Sequence, residues 1–197
     1  MIILKQMNYT DIEIIKKKLK KILNNKRYIH SEGVADMAKI LATIYGEDED
    51  KAYFTGLCHD IAKCLTIEES NRRIREYALP IKYINNIALA HSKVGAMIMK
   101  KEYLIKDDNI INAIAYHTTG RSNMSVLEKI IFVADAIEEN RNYNGLAELR
   151  EQAKIDLDKA ALEILEFSIN KLKNENKFLD EDTIEARDFL KRKLLKG

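Results

Sequence analysis

Four histidines occur in the 197-residue chain, His30, His59, His91 and His117, each at or near an end, or on the apolar face, of a different predicted helix. His59 is followed directly by Asp60. Another carboxylate, Asp135, lies inside the apolar run IIFVADAI, where burying it unpaired would be expensive. A metal ion answers that cost. Imidazole with carboxylate suits Fe, Mn, Co or Zn better than Mg or Ca, and the lack of a cysteine pair at ligand spacing argues against a structural zinc site. Consecutive helical residues differ by about 100° in direction, so His59 and Asp60 can both reach an ion beyond one edge of their helix. The two oxygens of Asp60 could bridge a second ion or orient a metal-bound water. A hydroxide generated on such a metal would attack phosphorus while the cation offsets charge growing on the phosphoryl oxygens, and no protein nucleophile would be required.

His30, His59, Asp60 and Asp135 are therefore the predicted metal ligands, since a helical core has no evident use for two carboxylates and two imidazoles. His91 and His117 either hold a second metal or contact substrate phosphate; taken singly, each could equally be a buried imidazole bonded to backbone. Lys63, three residues after Asp60 on what reads as the same helix, projects from a similar face and could stabilise phosphate in the reaction. Arg27 and Arg141 flank His30 and Asp135 and could each place a guanidinium on phosphate, against the plainer reading of surface ion pairs. Thr118, Thr119 and Gly120 follow His117 at a helix end, where small residues permit close ligand approach, although an ordinary turn would look the same.

The elements that must position these groups are helices. Seven Gly and one Pro are too few breakers for an all-β chain, and 46% hydrophobic with 32% charged residues excludes collagen-like and disordered classes. Ser or Thr paired with Glu three residues later marks helix starts at Thr10, Thr66 and Ser125. The first helix should run to about Asn24, burying Ile12, Ile15, Leu19, Ile22 and Leu23, and a second should start near Ser31 and stop at Gly46. From Glu49 to Leu65 the chain is apolar nearly all round and reads as the central helix. Polar 66–79, apolar 85–101 and 107–117, a turn at HTTGR, the run VLEKIIFVADAIEE, and helices near 147–173 and 183–195 follow. Cys58 and Cys64, six apart, face different ways and read as reduced core thiols.

A formal net charge of +2 is too small for a general nucleic-acid binder, and the lysine run 16–21 and the basic end KRKLLKG read better as solvated faces of amphipathic helices. Tyr28, Tyr83, Tyr103, Tyr116 and Tyr143 could include a base-stacking ring, and the sequence assigns that role to none of them. No run of 18 apolar residues occurs, and the start MIILKQMNYTD carries no cleavage-type segment, so the expectation is a cytoplasmic protein with no membrane partner.

In order along the chain, His30, His59-Asp60 and Asp135 resemble the H…HD…D signature of the HD-domain metal-dependent phosphohydrolases. The blocks RYIHSEGV (27–34), GLCHDIAK (56–63), AHSKVGA (90–96), YHTTGR (116–121) and EKIIFVADAIEENR (128–141) are similar to the bacterial YqeK-type branch. That resemblance implies an all-α HD-domain helical bundle, here one domain over 1–197 with the site motifs within 27–141. It also implies symmetrical hydrolysis of diadenosine tetraphosphate to two ADP, with iron as the metal. Glu139 stands where the family more often has Pro, which bears on how Arg141 is presented. Other substrates of the same site would be a nucleotide monophosphate, a deoxynucleotide triphosphate or a cyclic nucleotide. A reading of a different class is a metal-stabilised helical interaction module or RNA-associated module. A homodimer is carried as a partner without a specific signal for it.

Overall fold

Two of the three expected capping boxes form. Thr66 and Glu69 open α4 (Ile67–Glu76), and Ser125 and Glu128 open α7 (Val126–Ile137), each side chain satisfying the other residue's backbone N–H. The computed structural model describes residues 8–196; the apolar start MIIL and the final Gly197 of the basic end lie outside the described residues. The remaining helices are α1 (Ile12–Ile22), α2 (Asn25–Tyr45), α3 (Glu49–Cys58), α5 (Ile87–Lys101), α6 (Asp108–Tyr116), α8 (Leu146–Ile155), α9 (Leu157–Asn174) and α10 (Glu181–Leu194). Among the described residues there is no strand, so the architecture is all-α as expected. No described helix is long and apolar enough to cross a membrane.

Several boundaries differ from the sequence reading, each for a local reason. The box at Thr10 and Glu13 is not made: Asp11 is the N-cap of α1 without a side-chain bond into the helix, and its carboxylate accepts from the Asn8 N–H instead. Ile22, expected inside, is exposed, whereas Ile15, Leu19 and Leu23 are buried. The second helix begins six residues before Ser31, because the Asn24 side chain accepts from the Arg27 N–H and caps it there. Arg27 and His30 consequently lie one turn apart on α2 and share a face. Gly46, with φ +70°, ends α2 as expected.

The most consequential difference is that α3 stops at Cys58 rather than near Leu65. Beyond it the backbone runs in three-residue turns, Ile61 N–H to Cys58 O, Lys63 N–H to Asp60 O and Leu65 N–H to Ala62 O. His59 and Asp60 therefore sit at a helix end, not within a helix. Cys58 is buried but Cys64 is exposed, so only one of the two is a core thiol. Near the C-terminus, the expected 147–173 stretch breaks at Asp156, whose extended backbone ends α8 and whose carboxylate caps α9 through the Lys159 N–H.

The core is shared by α3 and α7 rather than centred on α3 alone. Helix α7 packs against α2, α3, α6 and α9 and buries residues all round, including Ile130, Ile131 and Val133. The tightest pairing is α2 on α3, where Gly56 faces Ala35. A Cβ added at Gly56 would stand 2.7 Å from the Ala35 Cα, a backbone atom that cannot swing away. This contact fixes the distance between His30 on α2 and His59-Asp60 after α3.

Gly56→Ala should therefore push the two helices apart. Overpacking of this kind costs about 1–3 kcal/mol, and in a domain of this size each kcal/mol lowers Tm by roughly 2–4 °C. Thermal unfolding of the variant measures this; a Tm equal to the wild type would show that the close approach of α2 and α3 is not required.

Candidate active site

Three of the four histidines reach the site from helix ends or first turns, and the backbone there sets their orientation. His59 and His117 are the C-caps of α3 and α6, where helix geometry leaves carbonyls without partners. Their Nδ1 atoms donate to the Gly56 carbonyl at 2.6 Å and the Ile114 carbonyl at 2.8 Å. His91, near the start of α5, donates from Nδ1 to the Ile87 carbonyl at 3.0 Å. His30, in the second turn of α2, has Nδ1 3.1 Å from Oε1 of the buried Glu138. A carbonyl or an ionised carboxylate only accepts, so Nδ1 carries the proton in all four rings and every Nε2 presents a lone pair.

Those four Nε2 atoms converge on two carboxylates. His30 Nε2 lies 3.1 Å from Asp135 Oδ1 and 3.8 Å from Asp60 Oδ2, and His59 Nε2 lies 3.4 Å from Asp60 Oδ2 and 4.0 Å from Asp135 Oδ1. On the opposite side of Asp60, Oδ1 is 3.2 Å from His91 Nε2 and 3.6 Å from His117 Nε2. The Nε2 atoms of His91 and His117 are 3.1 Å apart. Acceptor thus faces acceptor throughout, and the buried Nε2 atoms of His30 and His59 and Oδ1 of Asp60 have no hydrogen-bond donor. Buried lone pairs opposed in this way are unfavourable in isolation and suited to a cation.

The residues present fit a divalent transition ion. Three overlapping sets of candidate ligands bring their donor atoms within 4.8 Å of one another: His30, His59 and Asp60; His59, His117 and Asp135; and Asp60, His91 and His117. Burial by itself would raise the Asp60 carboxyl, and positive charge at the Nε2 positions of His59, His117 and His91, a proton in the place of a metal ion, lowers it well below the usual range. Burial likewise opposes ionisation of Asp135, and positive charge at His30, His59 and His117 outweighs it and keeps its carboxyl low. Burial, together with Lys63 and His117, pushes His91 down to about 4. At neutral pH the carboxylates are ionised and His91 is neutral, the states in which they bind metals.

The cationic side chains gather around the same centre. Arg27 donates to Asp60 Oδ2 at 2.6 Å, and Arg141 donates from Nε to the Asp135 carbonyl at 2.9 Å and from its guanidinium to Oδ1 at 2.7 Å. Arg141 is thus turned inward, away from any pairing with Glu139. Lys63, although not on a helix shared with Asp60, has Nζ 3.8 Å from Asp60 Oδ1 and 3.1 Å from His91 Nε2. Burial, with Arg27 and Arg141 nearby, lowers its pKa. Thr118 Oγ1 lies 3.2 Å from His91 Nε2, whereas the buried Thr119 hydroxyl donates to the Gly120 carbonyl and does not reach the centre. Asp135, within the apolar run of α7, has a side chain 24% exposed and borders a cavity.

Two supporting residues escaped the sequence reading. Glu138 orients His30 and also accepts from the Asn140 backbone and side chain at 2.7 and 3.0 Å. Arg150 donates to the Ile137 and Glu138 carbonyls and so closes the C-terminal end of α7. Glu138 had one signal, an acidic pair directly after the apolar run that carries Asp135; Arg150 lies in a polar helix like many others.

Comparison with known proteins agrees with this geometry. The family model described as HD domain matches residues 27–140. The chain is 36% identical to a symmetrical bis(5'-nucleosyl)-tetraphosphatase of Bacillus subtilis, over 87% of this chain and 93% of that protein. It is 40% identical to a protein of the same name from Halalkalibacterium halodurans, over 82% of this chain and 87% of the relative. A crystal structure from Clostridium acetobutylicum, described as a predicted HD superfamily hydrolase involved in NAD metabolism, superposes with a TM-score of 0.89. It shares 41% identity, covering 96% of this chain and all of the other.

The geometry separates residues that hold a metal from those that orient the holders. Asp60→Ala should leave the purified protein without bound metal. Glu138→Gln should retain metal with affinity lowered by about 10- to 100-fold, the usual cost of losing a carboxylate behind a ligating histidine. Elemental analysis and competition with a chelator measure both; full metal content in Asp60→Ala would remove Asp60 from the ligand set.

Proposed function

The chain belongs to the HD-domain family, and on that footing we propose that it hydrolyses diadenosine tetraphosphate symmetrically to two ADP. The observation that carries this reading is the convergence of four unprotonated Nε2 atoms on Asp60 and Asp135, ringed by Arg27, Lys63 and Arg141. Polyphosphate is the chemistry such a ring suits, and the substrate follows the curated relatives.

The HD family implies a divalent metal. We assign His30, His59, Asp60 and Asp135 as its ligands, with His91 and His117 facing the other oxygen of Asp60 and holding a second ion. Iron is the preferred metal and Mn, Co or Zn the alternatives, a preference supported by the mixed imidazole and carboxylate donors. Bound there, divalent cations supply the Lewis acidity that makes water a usable nucleophile near neutral pH and offsets charge on the phosphoryl oxygens.

The protein's own groups do the rest. Asp60 presents Oδ2 to one pair of histidines and Oδ1 to the other, so its carboxylate serves both halves of the centre. Arg27 and Arg141 offer guanidinium forks to the phosphate chain, and the Thr118 hydroxyl offers a further donor. Lys63 places an ammonium beside Asp60 and stabilises negative charge at the phosphorus under attack. Attack at one of the two inner phosphorus atoms divides the tetraphosphate at its centre. The C-terminal helices belong to the same catalytic unit, a reading supported by the packing of α9 on α7 and of α10 on α9. A nucleotide substrate and thiols without a disulfide partner support the cytoplasm as the place of action.

Turnover of diadenosine tetraphosphate in water labelled with heavy oxygen should yield only ADP, with the label in one ADP per event. AMP with ATP would remove the symmetrical mechanism, and no turnover alongside hydrolysis of a nucleoside monophosphate, a deoxynucleotide triphosphate or a cyclic nucleotide would move the substrate.

Lys63→Ala isolates the contribution of one cation that is not assigned to the metal. Loss of a charge-assisted hydrogen bond is worth about 1.5–3 kcal/mol, so kcat/KM should fall roughly 10- to 150-fold while metal content stays at the wild-type level. Unchanged kcat/KM with metal retained would make Lys63 a solvated bystander.

A further inference from the structure

A cavity of about 410 Å³ opens from the proposed metal centre toward α9, and His117, Thr118 and Asp135 form its inner wall. Its outer wall carries two aromatic rings from elements far apart in sequence, Tyr143 from the loop after α7 and Phe167 from α9. Their planes are within 17° of parallel and their centroids are 6.5 Å apart. The Tyr143 hydroxyl donates to the Ala136 carbonyl at 2.9 Å, which fixes that ring. Phe167 is 63% exposed, on a helix whose core contacts are made by Ala160, Ala161 and Leu165. A large aromatic side chain outside the core and aligned with a second ring is a stacking platform, and a ring system of base size has faces to meet there.

Charge places the rest of the ligand. Arg141 lines the inner part of the cavity while bonded to Asp135, and Lys171 lies one turn beyond Phe167 on its border. Glu163 adds one carboxylate to the same lining, and a polyanion attached to the base would run from this platform toward the metal ligands past Arg141. The cavity on the other side of Arg141, about 660 Å³ and bordered by Asn25, Arg27 and Asn140, shares Tyr143 with the first but lacks Phe167, so the paired ring faces only the first. The two flanks of the centre are therefore unequal, and the aromatic one is built for a base. Phe167 and Lys171 lie beyond the 27–140 segment matched by the family model.

We propose that Tyr143 and Phe167 bind a nucleobase of the substrate by stacking, so that α9 supplies base recognition to a centre built by the other helices. The inference rests on the nucleotide-hydrolase reading for its substrate and on the ring geometry for its site. Neither residue touches the reacting phosphorus, so their effect falls on binding.

The test uses the full metal-loaded chain, comparing wild type, Phe167→Ala and Phe167→Trp. Steady-state kinetics with diadenosine tetraphosphate are read beside calorimetric binding of ADP and of inorganic tripolyphosphate, which has phosphates and no base. Phe167→Ala should raise KM and the ADP dissociation constant by about 5- to 150-fold, the range for one base–aromatic stack, and leave kcat within about twofold. Tripolyphosphate affinity should stay unchanged, and Phe167→Trp should restore ADP binding. Wild-type ADP affinity in Phe167→Ala, or equal weakening of ADP and tripolyphosphate, would overturn the stacking site. Absence of tetraphosphate turnover in the wild type would instead overturn the proposed reaction, with the stacking site still judged by ADP against tripolyphosphate.

Discussion

The structure is organised by one electrostatic demand: the Asp60 and Asp135 carboxylates and four imidazole lone pairs occupy a space from which water is largely excluded. Hydrophobic burial cannot hold such a group of acceptors, because each has lost its hydration and none can donate to another. The usual remedy for a buried carboxylate is a salt bridge, and Arg27 and Arg141 supply part of it. They do so from one side only. The Nε2 atoms of His30 and His59 still point at carboxylate oxygens with nothing to donate between them. Divalent cations satisfy these acceptors, and for that reason a metal follows from the donor set as well as from the family.

Given that demand, the fold can be read as a means of bringing helix ends to one point. The C-caps of α3 and α6, the early turns of α2 and α5 and the last turn of α7 all meet there. Helix C-termini are useful at His59 and His117 because their free carbonyls take the Nδ1 proton, which fixes each ring and its tautomer without a further side chain. His59, His91 and His117 all use a carbonyl three or four residues back. His91 and His30 both lie inside their helices; His91 shares the Ile87 carbonyl one turn back, whereas His30 has a separate acceptor in the buried Glu138. The close approach of α2 and α3 at Gly56 then sets how far apart the two halves of the ligand set stand.

The parts of this arrangement legible in the sequence were those with local signatures. Capping boxes at Thr66 and Ser125, the left-handed stop at Gly46 and the ordered His and Asp positions each depend on residues a few apart. The end of α3 at Cys58 was not legible, because the stretch stays apolar through Ile61 and Ala62 and periodicity alone continues the helix. What ends it is the tertiary pull that turns His59 and Asp60 toward partners on four other helices. The start at Asn25 was missed because Ser31 offers an equally good cap in sequence, and only burial of Ser31 within α2 excludes it. Thr118 and Thr119 were indistinguishable as neighbours; the turn after α6 directs one hydroxyl to His91 and the other to backbone. Glu138 and Phe167 matter through contacts across 108 residues and across the α7–α9 gap, which no local pattern encodes.

The placement of the cations explains how one centre can hold metal and recognise a polyphosphate without competition between the two tasks. An ionised carboxylate has about four acceptor positions, so the guanidinium on Asp60 Oδ2 leaves lone pairs for a metal, and the same holds at Asp135. Arg27 and Arg141 use part of each carboxylate to anchor themselves, and both side chains border one open cavity. Removing either arginine would leave the metal donors in place and free the adjoining carboxylate to move. A net charge of only +2 is then no obstacle to binding a strongly anionic substrate. On the proposed reading, the phosphates are steered and held by the local excess of Arg27, Lys63, Arg141 and the implied cations over two carboxylates, concentrated at a low-dielectric centre where each charge acts at short range.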